Sequence, residues 1–193
     1  MRRALFIVAL LMLGSCATAP TRINDVCAVF DQRDGWFNSW HGAAKSTERE
    51  FGVPVPILMA TVYTESGFNA RAKPPRTKLL GFIPWKRAST AFGYSQALDG
   101  TWTRYQSETG RWYARRNDFG DAIHFIGWYH AKSHQVNGIA LNDTYNLYLA
   151  YYLGHAGYSK GLGRTNAQAQ QAARRAANMA MKYAAQMQAC GRS

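Results

Sequence analysis

The sequence predicts a fold that is all-α or nearly so. Several segments repeat apolar residues at three- and four-residue spacing, and Asp or Asn precedes many of them as a possible N-cap. Runs that alternate polar and apolar residues, which would indicate strands, are scarce. A chain of 193 residues is long enough for one domain with a sizeable hydrophobic core.

Glycines, prolines and capping residues set the bounds of the predicted helices. A glycine ends each of the first two, and Pro54 and Pro56 suit the start of the second. The last helix is rich in alanine and places Met179, Tyr183 and Met187 on one stripe, which we interpret as core packing. The predicted helices cover residues 40–51, 54–67, 99–107, 118–134 (or from 121), 142–153 (or from 143) and 166–190.

The first residues predict an export signal that is not part of the fold. Two arginines follow the initial methionine, and residues 4–13 form an apolar run that is too short to span a bilayer comfortably. The letters L-G-S-C that end at Cys16 resemble a bacterial lipobox, which implies a signal peptide over 1–15 and a lipid on Cys16. By the same resemblance, Ala17 favours the periplasmic face of the outer membrane. Ordinary secretory cleavage near residues 17–19 is the alternative.

The charge of the exported chain favours an anionic partner. The formal net charge is +12, and removal of residues 1–15, with two arginines and no acid, leaves +10 for residues 16–193. A strongly basic protein attracts polyanions. Because export separates the chain from nucleic acid, we expect anionic cell-wall polymer or lipid headgroups instead. We also expect a monomer that is held at the membrane only by its lipid.

Two cysteines remain after Cys16. Cys27 and Cys190 lie at opposite ends of the predicted mature chain. In an exported protein such a pair predicts one disulfide. The bond would close a loop of nearly the whole domain.

The second predicted helix ends in a single carboxylic acid. Leu58, Thr61, Val62 and Glu65 share one face of it, and this face is mostly apolar. Glu65 also lies at the negative end of the helix dipole. Apolar surroundings and the dipole both disfavour a carboxylate, so a raised pKa is predicted, as a general acid requires. The alternative is a last-turn glutamate that extends into solvent.

A basic segment over residues 69–90 follows the predicted acid. It combines lysines and arginines with three prolines and an apolar run at 79–85, which predicts a long loop or lid and not a helix. Phe82 and Trp85 carry flat rings that can stack on a sugar, so we expect this loop to form a wall of a groove. The alternative is a disordered basic insertion.

The sequence gives little support to a metal site or a nucleophilic serine. His130 and His134 have metal-ligand spacing, but Ala-Lys-Ser stands between them and the glutamate of the H-E-x-x-H motif is missing. Ser66 is not part of a G-x-S-x-G nucleophile elbow. We therefore expect neither a metal nor a cofactor.

The predicted acid also lacks an evident carboxylate partner. Most glycosidases use two carboxyl groups, one as acid and one as nucleophile or base. Asp99 and Asp143 are predicted to be helix caps, and the other acids lie on faces that we expect to be solvated. A sugar-cleaving enzyme with Glu65 alone would take its second group from the substrate, as an N-acetyl carbonyl or a hydroxyl.

Three short blocks carry a family resemblance. They are E-S-G-F-N at 65–69, G-Y-S-Q at 93–96 and A-Y-Y-L-G at 150–154. In this order they resemble the E-S-x-F-x, G-L-M-Q and A-Y-N-A-G segments of the soluble lytic transglycosylase (SLT) family, in the lysozyme-like superfamily. The similarity covers about residues 50–160. The chain departs from the family at Tyr94, Ser95 and Tyr152, which concerns substrate preference and site geometry.

The resemblance implies a lysozyme-like fold of the goose type and a peptidoglycan substrate. Glu65 would protonate the glycosidic oxygen between N-acetylmuramic acid and N-acetylglucosamine, and would then help the muramic 6-hydroxyl attack C1. The product would be a 1,6-anhydro sugar. Ser66, Gln96 and Tyr151 match positions that orient the sugar or the acid, and Tyr94 and Tyr152 stand beside them. The alternatives are a hydrolase on the same fold and a wall-binding protein without activity.

Overall fold

The computed structural model describes residues 19–34, 38–79 and 83–192, and these residues are mostly helical, as predicted. The helices are α1 (Val26–Val29), α2 (Trp40–Phe51), α3 (Val55–Ser66), α4 (Asp99–Thr109), α5 (Phe119–Asn137), α6 (Thr144–Leu153), α7 (His155–Ser159) and α8 (Ala167–Ala189), with a 3₁₀ turn at Leu162–Arg164. The strands are β1 (Arg33–Asp34), β2 (Asn38–Ser39), β3 (Arg76–Leu79) and β4 (Ile83–Arg87). None of the helices in the described ranges has both the length and the hydropathy that a bilayer span requires.

Local capping chemistry accounts for where most helices begin. Asp118, Asp143 and Asn166 accept backbone N–H bonds at the starts of α5, α6 and α8, which confirms the predictions for Asp118 and Asp143. The prediction for Asp99 was wrong, because Leu98 holds the cap position of α4 and Asp99 is its first helical residue. The Asp99 carboxylate instead pairs with Arg116 at 2.7 Å, a long-range contact that outcompetes the local cap.

Helix α3 lies at the centre of the core. Seven of its residues between Val55 and Val62 are buried, so the helix is apolar almost all round and not along the single face that the spacing predicted. Its N-cap residue, Pro54, offers no side-chain acceptor, and the Val55 N–H donates to Glu48 Oε1 of α2 at 3.0 Å. A negative charge thus stands at the positive end of the α3 dipole.

A sharp turn follows α3 and fixes the direction of its last residues. Gly67 (φ 57°) and Phe68 (φ 62°) both adopt the left-handed conformation. That conformation is strained for a residue with a side chain, and burial of Phe68 against the Trp40 ring, 5.9 Å between centroids, offsets the strain. The end of α3 is therefore anchored in the core immediately after Glu65.

The basic segment contains a hairpin and is not the continuous loop that was predicted. Strands β3 and β4 pair antiparallel, with Lys78 opposite Pro84 and a register irregularity between Arg76 and Lys78. A two-stranded ribbon consists only of edge strands, which tolerate proline because its missing N–H need not meet a partner. Phe82 lies outside the described residues, and Trp85 is placed in β4 by its backbone.

Helix α8 packs behind α3 and is tied to the start of the described chain. The predicted disulfide between Cys27 and Cys190 is present. Nearby, the Val26 N–H donates to Gln186 Oε1 at 3.0 Å, and the Tyr183 hydroxyl donates to the Ile23 carbonyl. Tyr183 and Met187 are buried, and Met179 packs partly buried beside them, which confirms the predicted core stripe.

We expect the disulfide to contribute a large share of the stability. Its cysteines are separated by 163 positions, for which chain entropy alone gives about 5 kcal/mol, and measured effects are usually about 2–5 kcal/mol. The Cys27→Ser, Cys190→Ser double variant should therefore lose a few kcal/mol in free energy of unfolding, measured by denaturant titration. Equal stability, or two thiols that alkylate without prior reduction in protein that has been directed to the periplasm, would contradict the prediction.

Candidate active site

Glu65 is held by a tyrosine from a distant part of the chain. It lies in the last turn of α3 and is partly buried, and the Tyr148 hydroxyl of α6 donates to its Oε1 at 2.6 Å. Tyr148 is 3% exposed, and burial raises the pKa of its phenol far above the usual value. The phenol therefore stays neutral and acts as a permanent donor. Because Oε1 accepts this bond, the proton of the neutral carboxyl group lies on Oε2.

The surroundings of Glu65 bring the pKa of its carboxyl group close to neutral pH. Burial raises its pKa from 4.5 to about 7, while the Tyr148 hydrogen bond and the positive charge of Arg175 act in the opposite direction. The predicted direction of the shift is confirmed, with desolvation as the largest cause. A carboxyl group with this pKa can give up a proton near pH 7 and take it back.

The tyrosines of α6 connect the acid to the loop that carries Gln96. Tyr151 lies one turn after Tyr148, with ring centroids 6.2 Å apart, and its hydroxyl donates to the Ser95 carbonyl at 2.6 Å. Tyr152, the next residue, is 41% exposed. Of the two tyrosines that the resemblance placed near Glu65, neither donates to it. The partner is Tyr148, and the signal for it was the three-residue spacing from Tyr151.

The Gln96 side chain stabilises its own loop through hydrogen bonds to the backbone. Its Nε2 donates to the Ala72 carbonyl at 3.0 Å and to the Gly93 carbonyl at 2.8 Å, so both amide hydrogens are engaged. Its Oε1 is left as the atom that can accept a hydrogen bond from a ligand. The residue also has φ 49°, so the loop is folded tightly around this side chain. Ser66 donates its hydroxyl to the Val62 carbonyl at 3.2 Å and keeps only acceptor capacity for a ligand.

Tyr94 is part of the core and does not line the site, contrary to the expectation. It is 1% exposed and meets the Trp40 and Phe119 rings edge-on, with centroids 5.5 and 5.6 Å away. Gly93, before it, has φ 76°, and a Cβ there would collide with the Arg116 carbonyl. The large tyrosine is thus used to anchor the loop, and the glycine lets the backbone pass Arg116 closely.

The other acids whose side chains the structure describes are engaged away from Glu65. Three of them, Asp25, Asp118 and Asp143, cap their own helices. Glu48 caps α3, and the remainder pair with basic groups: Asp31 with Arg192, Glu50 with His124, Asp99 with Arg116, Glu108 with Lys132 and Asp121 with Arg111. Within the described side chains, Glu65 is therefore the acid that is both desolvated and unpaired with a base.

The two histidines with metal-ligand spacing have separate structural partners. His130 is buried and its Nε2 lies 3.0 Å from Thr61 Oγ1 on α3, and burial lowers its pKa to about 3, so the ring is neutral. His134 Nδ1 donates to the Ile139 carbonyl at 2.8 Å. In the described part of the chain, no three potential ligands cluster as a metal site requires.

A helical domain with one desolvated glutamate at the end of its central helix, next to tyrosines and a glutamine loop, is characteristic of lysozyme-like enzymes that cleave glycans. A family model described as "Transglycosylase SLT domain" matches residues 4–190, so the chain belongs to this family. Proteins of the family act on the glycan strands of peptidoglycan. A comparison with curated proteins found no match.

The Tyr148 hydrogen bond should set the pH range of activity. Because this bond lowers the pKa of Glu65, Tyr148→Phe should raise that pKa by about one unit, as expected for loss of a bond to a charged group. A general acid loses activity as pH rises through its pKa, so the alkaline limb of the pH–rate profile on glycan strands should move to higher pH. Tyr145→Phe, one turn earlier on α6, is the control. An unmoved limb in Tyr148→Phe would refute the assignment.

Proposed function

We propose that this protein is a peptidoglycan lytic transglycosylase with Glu65 as its only acid and base. It cleaves the β-1,4 bond between N-acetylmuramic acid and N-acetylglucosamine and forms 1,6-anhydro-N-acetylmuramic acid. Membership of the SLT family supports the substrate class. The observation that carries the proposal is the Glu65 carboxyl group, with a pKa of about 7 and a fixed donor on Oε1.

The chemistry needs no second carboxylate. Glu65 Oε2 gives its proton to the glycosidic oxygen as the C1–O bond breaks, and the bonding electron pair stays on the departing sugar. The N-acetyl oxygen of the muramic residue stabilises the positive charge at C1. The Glu65 carboxylate then accepts the proton of the 6-hydroxyl while O6 bonds to C1. This returns Glu65 to its protonated form, and no water is consumed.

The surroundings of Glu65 suit both halves of this cycle. Desolvation favours the protonated acid before cleavage, while the Tyr148 bond and the Arg175 charge stabilise the carboxylate that exists between the two proton transfers. These opposing effects hold the pKa close to neutral, where neither transfer is strongly uphill. The Gln96 loop, connected to Tyr151 through the Ser95 carbonyl, would contact the sugar.

Product analysis of Glu65 variants tests the proposal. The wild type should release muropeptides that lack a reducing end and are lighter by one water than hydrolysis products, measured by mass spectrometry of digested peptidoglycan. Glu65→Gln should keep its fold and its binding to peptidoglycan but lose activity at least about a hundredfold. The control is Glu108→Gln, which removes a surface acid paired with Lys132. Reducing ends would establish a hydrolase, and full activity in Glu65→Gln would exclude Glu65 as the acid.

We further propose that the protein is exported, carries a lipid on Cys16 and is anchored as a monomer to the outer membrane. Support comes from the two arginines, the apolar run at 4–13 and the lipobox-like letters before Cys16, all outside the described residues. Cys16→Ser should lose the lipid, seen by intact mass, and should move from the membrane fraction to the soluble periplasm. Unchanged mass and fractionation in the variant would contradict the anchor.

A further inference from the structure

A basic cleft lies at the base of the β3–β4 hairpin. It has a volume of about 690 Å³ and is lined by Lys73, Arg87, Thr90, Phe92, Asp99 and Arg116, among others. This volume is within the usual range for small-molecule sites, roughly 300–1,000 Å³. The cleft contains none of the residues that surround Glu65, so it is a separate feature of the surface.

The charges in the cleft are not balanced. Asp99 is bound to Arg116 at 2.7 Å, and Arg116 also donates to the Thr90 and Ala97 carbonyls at 3.0 and 2.9 Å, so this arginine is a fixed structural cation. Lys73 and Arg87 are exposed, and no acid among the described side chains forms an ion pair with either. The cleft therefore keeps an excess of positive charge at its rim.

The cleft also offers an apolar surface beside its cations. Two positive groups lie over the Phe92 ring, with Lys73 Nζ 5.0 Å and the Arg116 guanidinium 5.5 Å from its centroid. These contacts hold the lysine near the ring. A ligand with both methyl groups and carboxylates would find a partner for each here, whereas a bare phosphate chain would leave the ring unused.

Backbone contacts connect the cleft to the active site. The Ala72 carbonyl accepts from Gln96 Nε2 and from the Gly93 N–H, both at 3.0 Å. Lys73 follows Ala72 and Phe92 precedes Gly93, so both cleft residues are direct neighbours of the pair that holds the Gln96 loop. A branch that leaves a glycan bound along this loop would reach the cleft.

We propose that the basic cleft binds the carboxylates of the peptide branches of peptidoglycan, so that the enzyme favours glycan strands that still carry peptides. This inference rests on the proposed function, because it takes the bound glycan to be peptidoglycan. The peptides are attached to the muramic acid through its lactyl group, adjacent to the bond that is cleaved. Their free carboxylates suit Lys73 and Arg87, and their alanine methyl groups suit Phe92.

Binding measured without turnover tests the proposal. The protein is the Glu65→Gln variant, and its affinity for two probes is measured by calorimetry. One probe is a soluble GlcNAc–MurNAc disaccharide that carries a tetrapeptide, and the other is the same disaccharide without peptide. The peptide-bearing probe should bind about tenfold more tightly, as two partly exposed charge pairs allow. Adding Lys73→Gln and Arg87→Gln should remove this difference and leave affinity for the bare disaccharide unchanged. Both side chains are exposed, so the variants should fold normally, which thermal melting checks.

A charge-matched control separates a site from a general field. Lys160→Gln with Lys182→Gln removes the same charge from exposed positions outside the cleft. If the control pair weakens the peptide-bearing probe as much as the cleft pair does, the proposal is overturned. It is also overturned if the cleft pair, Lys73→Gln with Arg87→Gln, weakens the binding of both probes equally. A cleft pair that weakens only the binding of polyphosphate, used as a phosphate polymer, overturns it as well.

Activity provides an independent readout. In the otherwise wild-type enzyme, the ratio of kcat/KM on intact strands to that on strands stripped of peptides by an amidase should fall about tenfold with the cleft pair. Failure of the proposed function would appear as an absence of 1,6-anhydro products from the wild type, whatever the binding result. Failure of the cleft proposal would appear as an unchanged preference with those products still formed.

Discussion

The carboxyl group of Glu65 is taken out of water at the end of a helix that is itself almost wholly buried. Desolvation disfavours the ionised form, and each unit by which a pKa rises corresponds to about 1.4 kcal/mol between the two protonation states. The hydrogen bond from the neutral Tyr148 hydroxyl and the positive charge of Arg175 both lower the pKa, so they limit the free-energy cost of ionising Glu65. The acid–base chemistry that we propose depends on the balance of these three effects.

The rest of the fold keeps α3 in place so that this balance persists. Glu48 satisfies the first N–H of the helix, and the left-handed pair at Gly67 and Phe68 fixes its last turn against the core. His130 packs from α5 against Thr61 as a neutral ring, which adds no charge behind the helix. Helix α8 covers the back of α3 and is locked by the disulfide to the first helix. Glu65 thus lies on a helix that is held at both ends, as the proton transfer that we propose for it requires.

Helix α6, the Gln96 loop and the basic segment are linked to one another around the acid. Helix α6 brings Tyr148 and Tyr151, and the second of these reaches the Gln96 loop through the Ser95 carbonyl. That loop is in turn bonded to Ala72, where the basic segment begins. A series of contacts therefore runs from the acid to the basic cleft, in which the Tyr148 and Tyr151 rings stack on each other and the links at Glu65, Ser95 and Ala72 are hydrogen bonds. The substrate contacts that we propose at the cleft and the proton transfer that we propose at Glu65 would share this framework, although the two regions share no residue.

What the sequence by itself determined follows from interactions between near neighbours in the chain. Helical spacing and capping groups fixed the bounds of most helices, including the position of Glu65 in the last turn of α3. The order of three short blocks indicated the family. Local patterns failed where a distant partner competed: Asp99 left its cap position for Arg116, and the proline-rich segment paired with itself as a hairpin.

Only the tertiary structure decided which side chains meet. Tyr148 and Glu65 are separated by 83 residues, and their contact depends on how α6 packs against α3. Arg175 acts on the acid from α8, outside the three short blocks that indicated the family. Tyr94 and Tyr151 both lie in blocks that resemble family segments. The Tyr94 ring nevertheless fills the core, whereas Tyr151 supports the site. A local pattern specifies that a residue is aromatic or acidic and on which face it lies, whereas burial and partner are set by elements brought together only on folding.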